Sequence, residues 1–452
     1  MSSNTTGNSV HLRNKTEGSV SFELCSFQER KVVKIEIGAG ENKSLNPIDG
    51  ENLIAAAQIA QEKLLPLVCF LQSTGADIEE GIAAVHGWGK AAREFSNCSG
   101  KVPIIFCVTG PTVSGPALLL GLADIVIMTE TSYAFVSGPQ MAEMFTGVEV
   151  TNDDLGGARL HDKTSGVSHF TVENLSDGEN LIGELLSYLP NHSDGIPGRW
   201  SPEDPPDRLT PEAEKILPNS TADSYDVRGI IKCVVDDKHI LELRKNWATN
   251  LITAFASIDG RPVGIVANQP QSMAGTLDIA ASQKGANFVS FCDAFNLPII
   301  TFVDTSGFYP GKDLEWRGMI RYGSQMAFAY ARATVPRVCL TLRKSYGGAY
   351  IVMDSSYMGN DLALAWPTAE IAVMGAKGAV EILFRNADNK EKESLEHSYE
   401  ERLLNPYIAA ERGSVDRVIE PKDTRIEIAA ALEILNGKKE KIPRRKHDNM
   451  PL

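Results

Sequence analysis

A chain of 452 residues, 43% hydrophobic and 23% charged, has the composition of a folded globular protein and the length for about three domains. A net charge of −14 excludes nucleic acid as the main partner, because phosphate backbones require a basic face; a small phosphate-bearing ligand needs only a local positive site. The seven cysteines contain no CxxC pair, which argues against a zinc ribbon or a disulfide framework and fits reduced thiols. The N-terminus MSSNTTGNSV lacks a basic-then-apolar leader, and no apolar run is long enough to span a membrane, so a cytoplasmic protein is expected.

In chain order, residues 1–17 are polar and read as a flexible N-terminus, followed by an apolar block at 18–190. Residues 191–223 (with GIPGRWSPEDPPDRLTPEAEK) read as a Pro-rich acidic linker. A second apolar block spans 224–437, and a basic tail occupies 438–452. The two blocks resemble each other. KLLPLVCFLQSTGA aligns with FNLPIITFVDTSGF, placing Pro66 and Pro298 232 positions apart. KVPIIFCVTGPTVSGPA aligns with TVPRVCLTLRKSYGGAY, placing Pro103 and Pro336 233 positions apart. Two matches at nearly one offset indicate a duplicated fold.

Each block repeats a short apolar strand, a Gly-rich turn and a helix. The strands at 67–71 and 299–303 end at Ser73-Thr74-Gly75 and Thr305-Ser306-Gly307; those at 104–108 and 338–342 lead to Ser114-Gly115-Pro116 and Gly347-Gly348-Ala349. Continuous apolar strands separated by helical stretches predict an α/β fold, with mostly parallel sheets covered by helices.

A glycine turn opening a helix after a buried strand aims consecutive N–H groups into one cup, which can hold a developing oxyanion. Tyr346-Gly347-Gly348-Ala349-Tyr350 is such a turn, and Met374-Gly375-Ala376-Lys377-Gly378 is a second Gly-rich helix entry. Tight strand-to-helix packing alone would also explain these glycines. No His falls in a GxSxG or HExxH setting, so His86 and His239 are expected at the surface or satisfied in the core. No metal site is expected, and the absence of GxxxxGK[ST] and of a strand-linked GxGxxG implies neither ATP nor a dinucleotide. An enzyme built this way works by backbone polarisation.

At these residues the chain resembles the carboxyltransferase β subunits of biotin-dependent acyl-CoA carboxylases, of the propionyl-CoA carboxylase and transcarboxylase type. GRPVGIVANQP (260–270), GTLDIAAS (275–282), DTSGFYPG (304–311), RKSYGGAY (343–350), AWPTAEIAVMGAKGA (365–379), NPYIAAERGSVDRVI (405–419) and KHDNMPL (446–452) carry the resemblance. The segment 135–170 carries it in the first block, and the likeness covers about residues 60–452. The resemblance implies duplicated crotonase-like (ClpP/crotonase) domains and a homo-oligomer, dimer to hexamer. It implies transfer of a carboxyl group from carboxybiotin to the α-carbon of an acyl thioester, an acyl-CoA or an acyl-carrier thioester. It further implies a C-domain oxyanion cup at Gly348 and Ala349 and an N-domain cup at Ser114 and Gly115. Around them, Gly347, Tyr346, Ile351, Gly375, Ala376, Gly75, Ala76, Gly307 and Phe308 are the implied substrate- and biotin-facing positions. No MKM-type biotinylation site is present, so biotin is expected on a separate carrier, charged by a biotin carboxylase subunit.

The departures from the family cluster early. The family's longer charged N-terminal segment is missing, and its Phe/Gly-rich stretch reads Ile37-Gly38-Ala39-Gly40-Glu41-Asn42. Its Asp-Ser-Gly-Gly-Ala-Arg turn reads Gln72-Ser73-Thr74-Gly75-Ala76-Asp77, an anion for a cation on the expected acyl-CoA side, unless Asp77 caps the following helix. Its Gly-Gly-Ala cup reads Ser114-Gly115-Pro116, and proline has no N–H to donate. In propionyl-type members an acidic residue often stands where this chain has Ile351, a position tied to acyl choice. Three readings stay open: ordinary acyl-CoA carboxylation; a related enzyme on an unusual donor, such as a carrier-protein thioester or a decarboxylation substrate; and a catalytically silent subunit of a carboxylase assembly.

Overall fold

The structure is a computed structural model that describes residues 18–38, 44–438, 440 and 442–451. The expected flexible N-terminus at 1–17 lies outside the described residues, as do positions 39–43 of the altered early stretch. The chain divides into two compact units: 1–197 with 244–247, and 198–243 with 248–452. The Pro-rich stretch 191–223 is therefore shared. Its later part packs into the second unit, where Ala213 is fully buried and Thr210 Oγ1 donates to the Pro421 carbonyl at 2.9 Å.

The first sheet runs in the order Val20–Phe27, Arg30–Ile37, Leu67–Ser73, Ile104–Val113, Ile125–Thr129, Phe170–Val172, with Tyr133–Phe135 pairing beside Ile104–Val113. Only the opening hairpin is antiparallel; every later pairing is parallel. The second sheet repeats this plan from Arg261–Asn268 onward: Ile299–Thr305, Arg337–Tyr346, Leu362–Ala365, Arg417–Val418, with Glu370–Ala372 beside Arg337–Tyr346. Leu241–Leu243 and Leu251–Ile258 precede it antiparallel. Parallel strands covered on both faces need apolar residues at successive positions, and 67–71 and 299–303 are buried throughout. Each unit holds its own apolar core on its sheet.

The helices carry their own start signals. Pro47–Lys63 opens with Asn46 and Asp49 in a reciprocal capping box and Pro47 in the first turn, then stops at Leu64 in the left-handed conformation.

The duplication extends to local irregularities. The parallel register slips between Leu71 and Ser73 in one unit and between Val303 and Thr305 in the other. A Cβ on Gly38 would fall 2.0 Å from the Gln72 carbonyl oxygen, and one on Gly275 would fall 2.4 Å from that of Asp304. Both glycines let two chain segments touch where the first strand of each site ends.

Aspartates just before one strand accept from an N–H at the start of its neighbour: Asp124 from Ile104 (2.8 Å), Asp361 from Arg337 (2.8 Å), Asp416 from Ala363 (2.7 Å). Burial pushes the Asp124 carboxyl from its ordinary 3.8 up to about 7, with the Ile104 N–H pulling it back. A raised carboxyl stabilises the fold in its protonated form, fully below about pH 4 and no longer above about pH 7. Asp124→Asn, which keeps the acceptor without the titration, should therefore flatten the fall in stability between those pH values. Melting curves at pH 4.5 and 8 check this; an unchanged pH slope would contradict it.

Candidate functional site

In the second unit the strand Arg337–Tyr346 ends directly in the short helix Gly347–Val352. Gly347 makes the corner at φ 58°, a left-handed conformation costly for any residue with a Cβ. First-turn N–H groups have no acceptor within their own helix, so Gly348 and Ala349 present theirs at the strand's end. Phe308 lies against Gly348, whose Cβ would stand 3.3 Å from the ring. Phe308 is held by a small parallel bridge to Leu277, in which Leu277 N–H donates to Gly307 (3.1 Å) and Tyr309 N–H to Leu277 (2.9 Å).

Tyr346 spans this turn and the next Gly-rich entry. Its ring packs on Gly375, the N-terminal cap of Ala376–Leu383, at 3.2 Å from the position of a Cβ. Its hydroxyl donates to Glu370. Burial, then the Glu370 carboxylate, push the phenol well above its ordinary range, so it stays a neutral donor. Behind the turn, buried Asp304 accepts from Arg343 Nε (3.0 Å) and Tyr225 Oη (2.9 Å) through one oxygen, and from the Lys344 N–H (3.1 Å) through the other. Burial raises the Asp304 carboxyl, opposed chiefly by Arg343. This carboxylate ties the end of Ile299–Thr305 to the strand that carries the cup. Ile351 is 39% exposed, one residue into the same short helix past Tyr350.

The first unit repeats the corner with different residues. Ile104–Val113 ends at Ser114, with φ 63° and ψ −129°, and leads into Gly115–Leu119. The Ser114 N–H is taken by the Phe135 carbonyl at 2.9 Å, and Pro116 has none. Of the three positions, Gly115 alone has an uncommitted backbone donor. The opposite wall matches its counterpart: Gly75 N–H donates to Ser73 Oγ (3.2 Å) as Gly307 does to Thr305 Oγ1 (3.3 Å), and Asp77 N–H donates to Leu45 (2.8 Å). Asp77 does not cap the following helix, which begins at Ile82 after Gly81. Its carboxylate instead accepts from the Glu79 N–H (3.0 Å) and the Ser44 hydroxyl (3.0 Å), building the turn.

Trp88 covers Gly115, where a Cβ would fall 2.9 Å from the indole Nε1. That nitrogen is buried and has no hydrogen-bond partner among the described residues. Within the second unit, then, the structure brings together Tyr346, Gly347, Gly348, Ala349, Gly375, Gly307 and Phe308; within the first, Gly75, Ala76, Ser114 and Gly115. Sequence reasoning missed Trp88, Glu370 and the Asp304–Arg343–Tyr225 cluster. DTSGF and RKSYGGAY showed two members of that cluster as motif residues, without their partnership. Among the described residues no cluster of metal-ligating side chains occurs, and no helix is long and apolar enough to cross a membrane.

Residues 39–450 match the model of the carboxyl transferase domain. The chain belongs to the carboxyl transferase domain family. It is 43% identical over 416 residues to the propionyl-CoA carboxylase carboxyltransferase subunit of Haloferax mediterranei, covering 90% of this chain and 81% of that protein. It is 42% identical over 413 residues to the methylmalonyl-CoA decarboxylase subunit alpha of Veillonella parvula, covering 91% and 81%. A solved structure of transcarboxylase 12S, described as a hexamer assembly with methylmalonyl-coenzyme A and methylmalonic acid bound, superposes with a TM-score of 0.94. That match has 38% identity and covers 99% of this chain and 89% of that one. The fold of this carboxyl transferase is the duplicated α/β architecture expected from its strands and turns, in the crotonase-like form that the family resemblance implied, and the family match begins earlier than the motifs alone indicated.

Proposed function

We propose that this carboxyl transferase moves a carboxyl group between biotin on a separate carrier protein and the α-carbon of an acyl thioester, an acyl-CoA in the first instance. The observation that carries the reading is the pair of equivalent strand-to-helix corners, one per unit, with two backbone donors in the second and one in the first, each beside an open turn. The second-unit corner fits a ureido group: Gly348 and Ala349 offer N–H donors, and no atom lies within 4 Å of where a Cβ on Gly307 would stand. Carboxybiotin supplies the transferable carboxyl group when its carrier docks. Gly348 and Ala349 would hold the ureido oxygen as it gains charge, and Phe308 shields them from water, which strengthens each donor. Tyr346, kept neutral, positions the Gly375-Ala376 entry. At the first-unit corner Gly115 would hold the thioester oxygen, between Gly75-Ala76 and Trp88. Among the described residues assigned to the two corners none is itself a carboxylate, imidazole or amine base, so the proton of the α-carbon would leave on the biotin side.

Ile351, apolar and partly exposed two residues past Ala349, fills the position that the family resemblance ties to acyl choice, and it supports an uncharged acyl group. The related 12S hexamer and the exposed Met144, Phe145, Ile382, Leu383 and Phe384 support a homo-oligomer, of which the 18–190 and 224–437 blocks are the working domains. Seven free cysteines support a reducing, cytoplasmic setting. The test is incorporation of labelled bicarbonate into acetyl-, propionyl- and butyryl-CoA, with a biotinylated carrier and a biotin carboxylase supplied. Label in at least one acyl-CoA is expected. Decarboxylation is the second reading, favoured by the Veillonella relative; it predicts release of label from methylmalonyl-CoA onto the carrier instead. Transfer in neither direction would leave the silent-subunit reading in place.

A further inference from the structure

The two corners hold different numbers of amide donors at equivalent positions. At an offset of 233, Ser114, Gly115 and Pro116 stand where the second unit has Gly347, Gly348 and Ala349. Both corner residues take a positive φ, 63° for Ser114 and 58° for Gly347. The second-unit cup has amides at Gly348 and Ala349. The first-unit cup keeps the one at Gly115, loses the other to Pro116, and gains a hydroxyl that the second unit lacks.

That hydroxyl sits at the site. Ser114 is exposed, and its Cβ stands 3.5 Å from where a Cβ on Gly75 would be, so it faces the opposite wall of the corner. Its backbone N–H is bound to Phe135, which fixes the corner and leaves the side chain free to rotate. Among the described residues the hydroxyl has no assigned partner. The other nearby donor, the Trp88 indole, is buried, 2.9 Å from where a Cβ on Gly115 would stand, whereas the Ser114 hydroxyl is on the exposed side of the corner. Serine in this conformation is otherwise unfavourable, since glycine would make the same corner without strain.

We propose that the Ser114 hydroxyl is a catalytic hydrogen-bond donor to the thioester oxygen, replacing the amide that Pro116 removed from the cup. The first-unit site then works with one amide and one hydroxyl, where the second-unit site works with two amides. The assignment rests on the acyl-thioester reading of the first-unit corner given above.

Three variants test it in the carboxyl-transfer assay with carrier and carboxylase: Ser114→Ala, Ser114→Gly, and Ser114→Ala combined with Pro116→Ala. Removing one such donor typically costs on the order of 10²-fold in rate. Both single variants should lose about that in kcat, with KM for the acyl-CoA little changed. Ser114→Gly relaxes the corner, so its loss cannot come from misfolding. The double variant regains an amide at position 116 and should recover at least about tenfold over Ser114→Ala. Single variants within about twofold of the unmodified protein would overturn the proposal, as would a loss that Pro116→Ala does not rescue. An acyl adduct on Ser114, seen by intact mass after incubation with acyl-CoA, would also overturn it by making Ser114 a nucleophile. Failure of the unmodified protein to transfer a carboxyl group to any acyl thioester would instead defeat the functional reading beneath it.

Discussion

Gly348→Pro should abolish carboxyl transfer while leaving the protein folded. Gly348 occupies the first turn of Gly347–Val352, where no backbone hydrogen bond within the helix depends on its N–H. Proline is tolerated in a first turn for that reason, and this chain already places Pro116 in the equivalent turn of its first unit. What proline removes is the donor itself. One cup donor is worth ~10²–10³ in rate, so turnover should fall at least a hundredfold. The new ring also meets Phe308, because a Cβ here already approaches that side chain to 3.3 Å. Gly348→Ala is therefore the matched control: it adds the same Cβ and keeps the N–H. The alanine variant should retain most of the activity, and the gap between the two variants measures the amide. Equal activity in both would remove this amide from the mechanism, provided circular dichroism and melting show both folded.

The parts of this molecule legible in its sequence are those set by backbone periodicity and by glycine. The buried runs at 67–71 and 299–303, the turns after them and the offset near 232 all follow from strands covered on both faces and from turns whose backbone takes a positive φ at Gly75 and Gly307. The duplication could be read because both halves obey the same constraint at the same spacing. The glycine corner at 347–349 was legible for the same reason. Side-chain partnerships were not. Asp304 and Arg343 are 39 positions apart and meet only because Ile299–Thr305 and Arg337–Tyr346 are neighbours in the sheet. Trp88 reaches Gly115 from a helix that its own sequence does not tie to that corner. Asp77 was misread in the same way: its position before a helix suggested a cap, whereas local geometry turns its carboxylate back on Glu79 and across to Ser44.

The second large effect is expected from Arg343→Met. Arg343 is 4% exposed and Asp304 2% exposed, so neither charge has water to fall back on. The guanidinium also reaches the Ser220 carbonyl (3.3 Å) and the Asp223 carbonyl (3.0 Å), and lies 5.1 Å from the centre of the Tyr225 ring. Methionine matches the stem and removes the charge, leaving a buried carboxylate with only Tyr225 Oη and the Lys344 N–H. Breaking one side of a buried pair costs about 3–5 kcal/mol, which for a unit of this size is roughly a 10 °C fall in melting temperature. The same carboxylate joins the strand end at Thr305 to the strand leading into Gly347, so the cup should loosen with the fold. Turnover should therefore drop even at temperatures where the variant remains folded, and Arg343→Lys should restore stability only in part, because a single ammonium cannot repeat the fork. Asp304→Leu combined with Arg343→Met removes both charges and should melt above Arg343→Met alone, since no unpaired ion is left buried. If the double variant melts at or below the single one, the cost lies in lost packing around Tyr225, and the carboxylate is not what draws the two strand ends together.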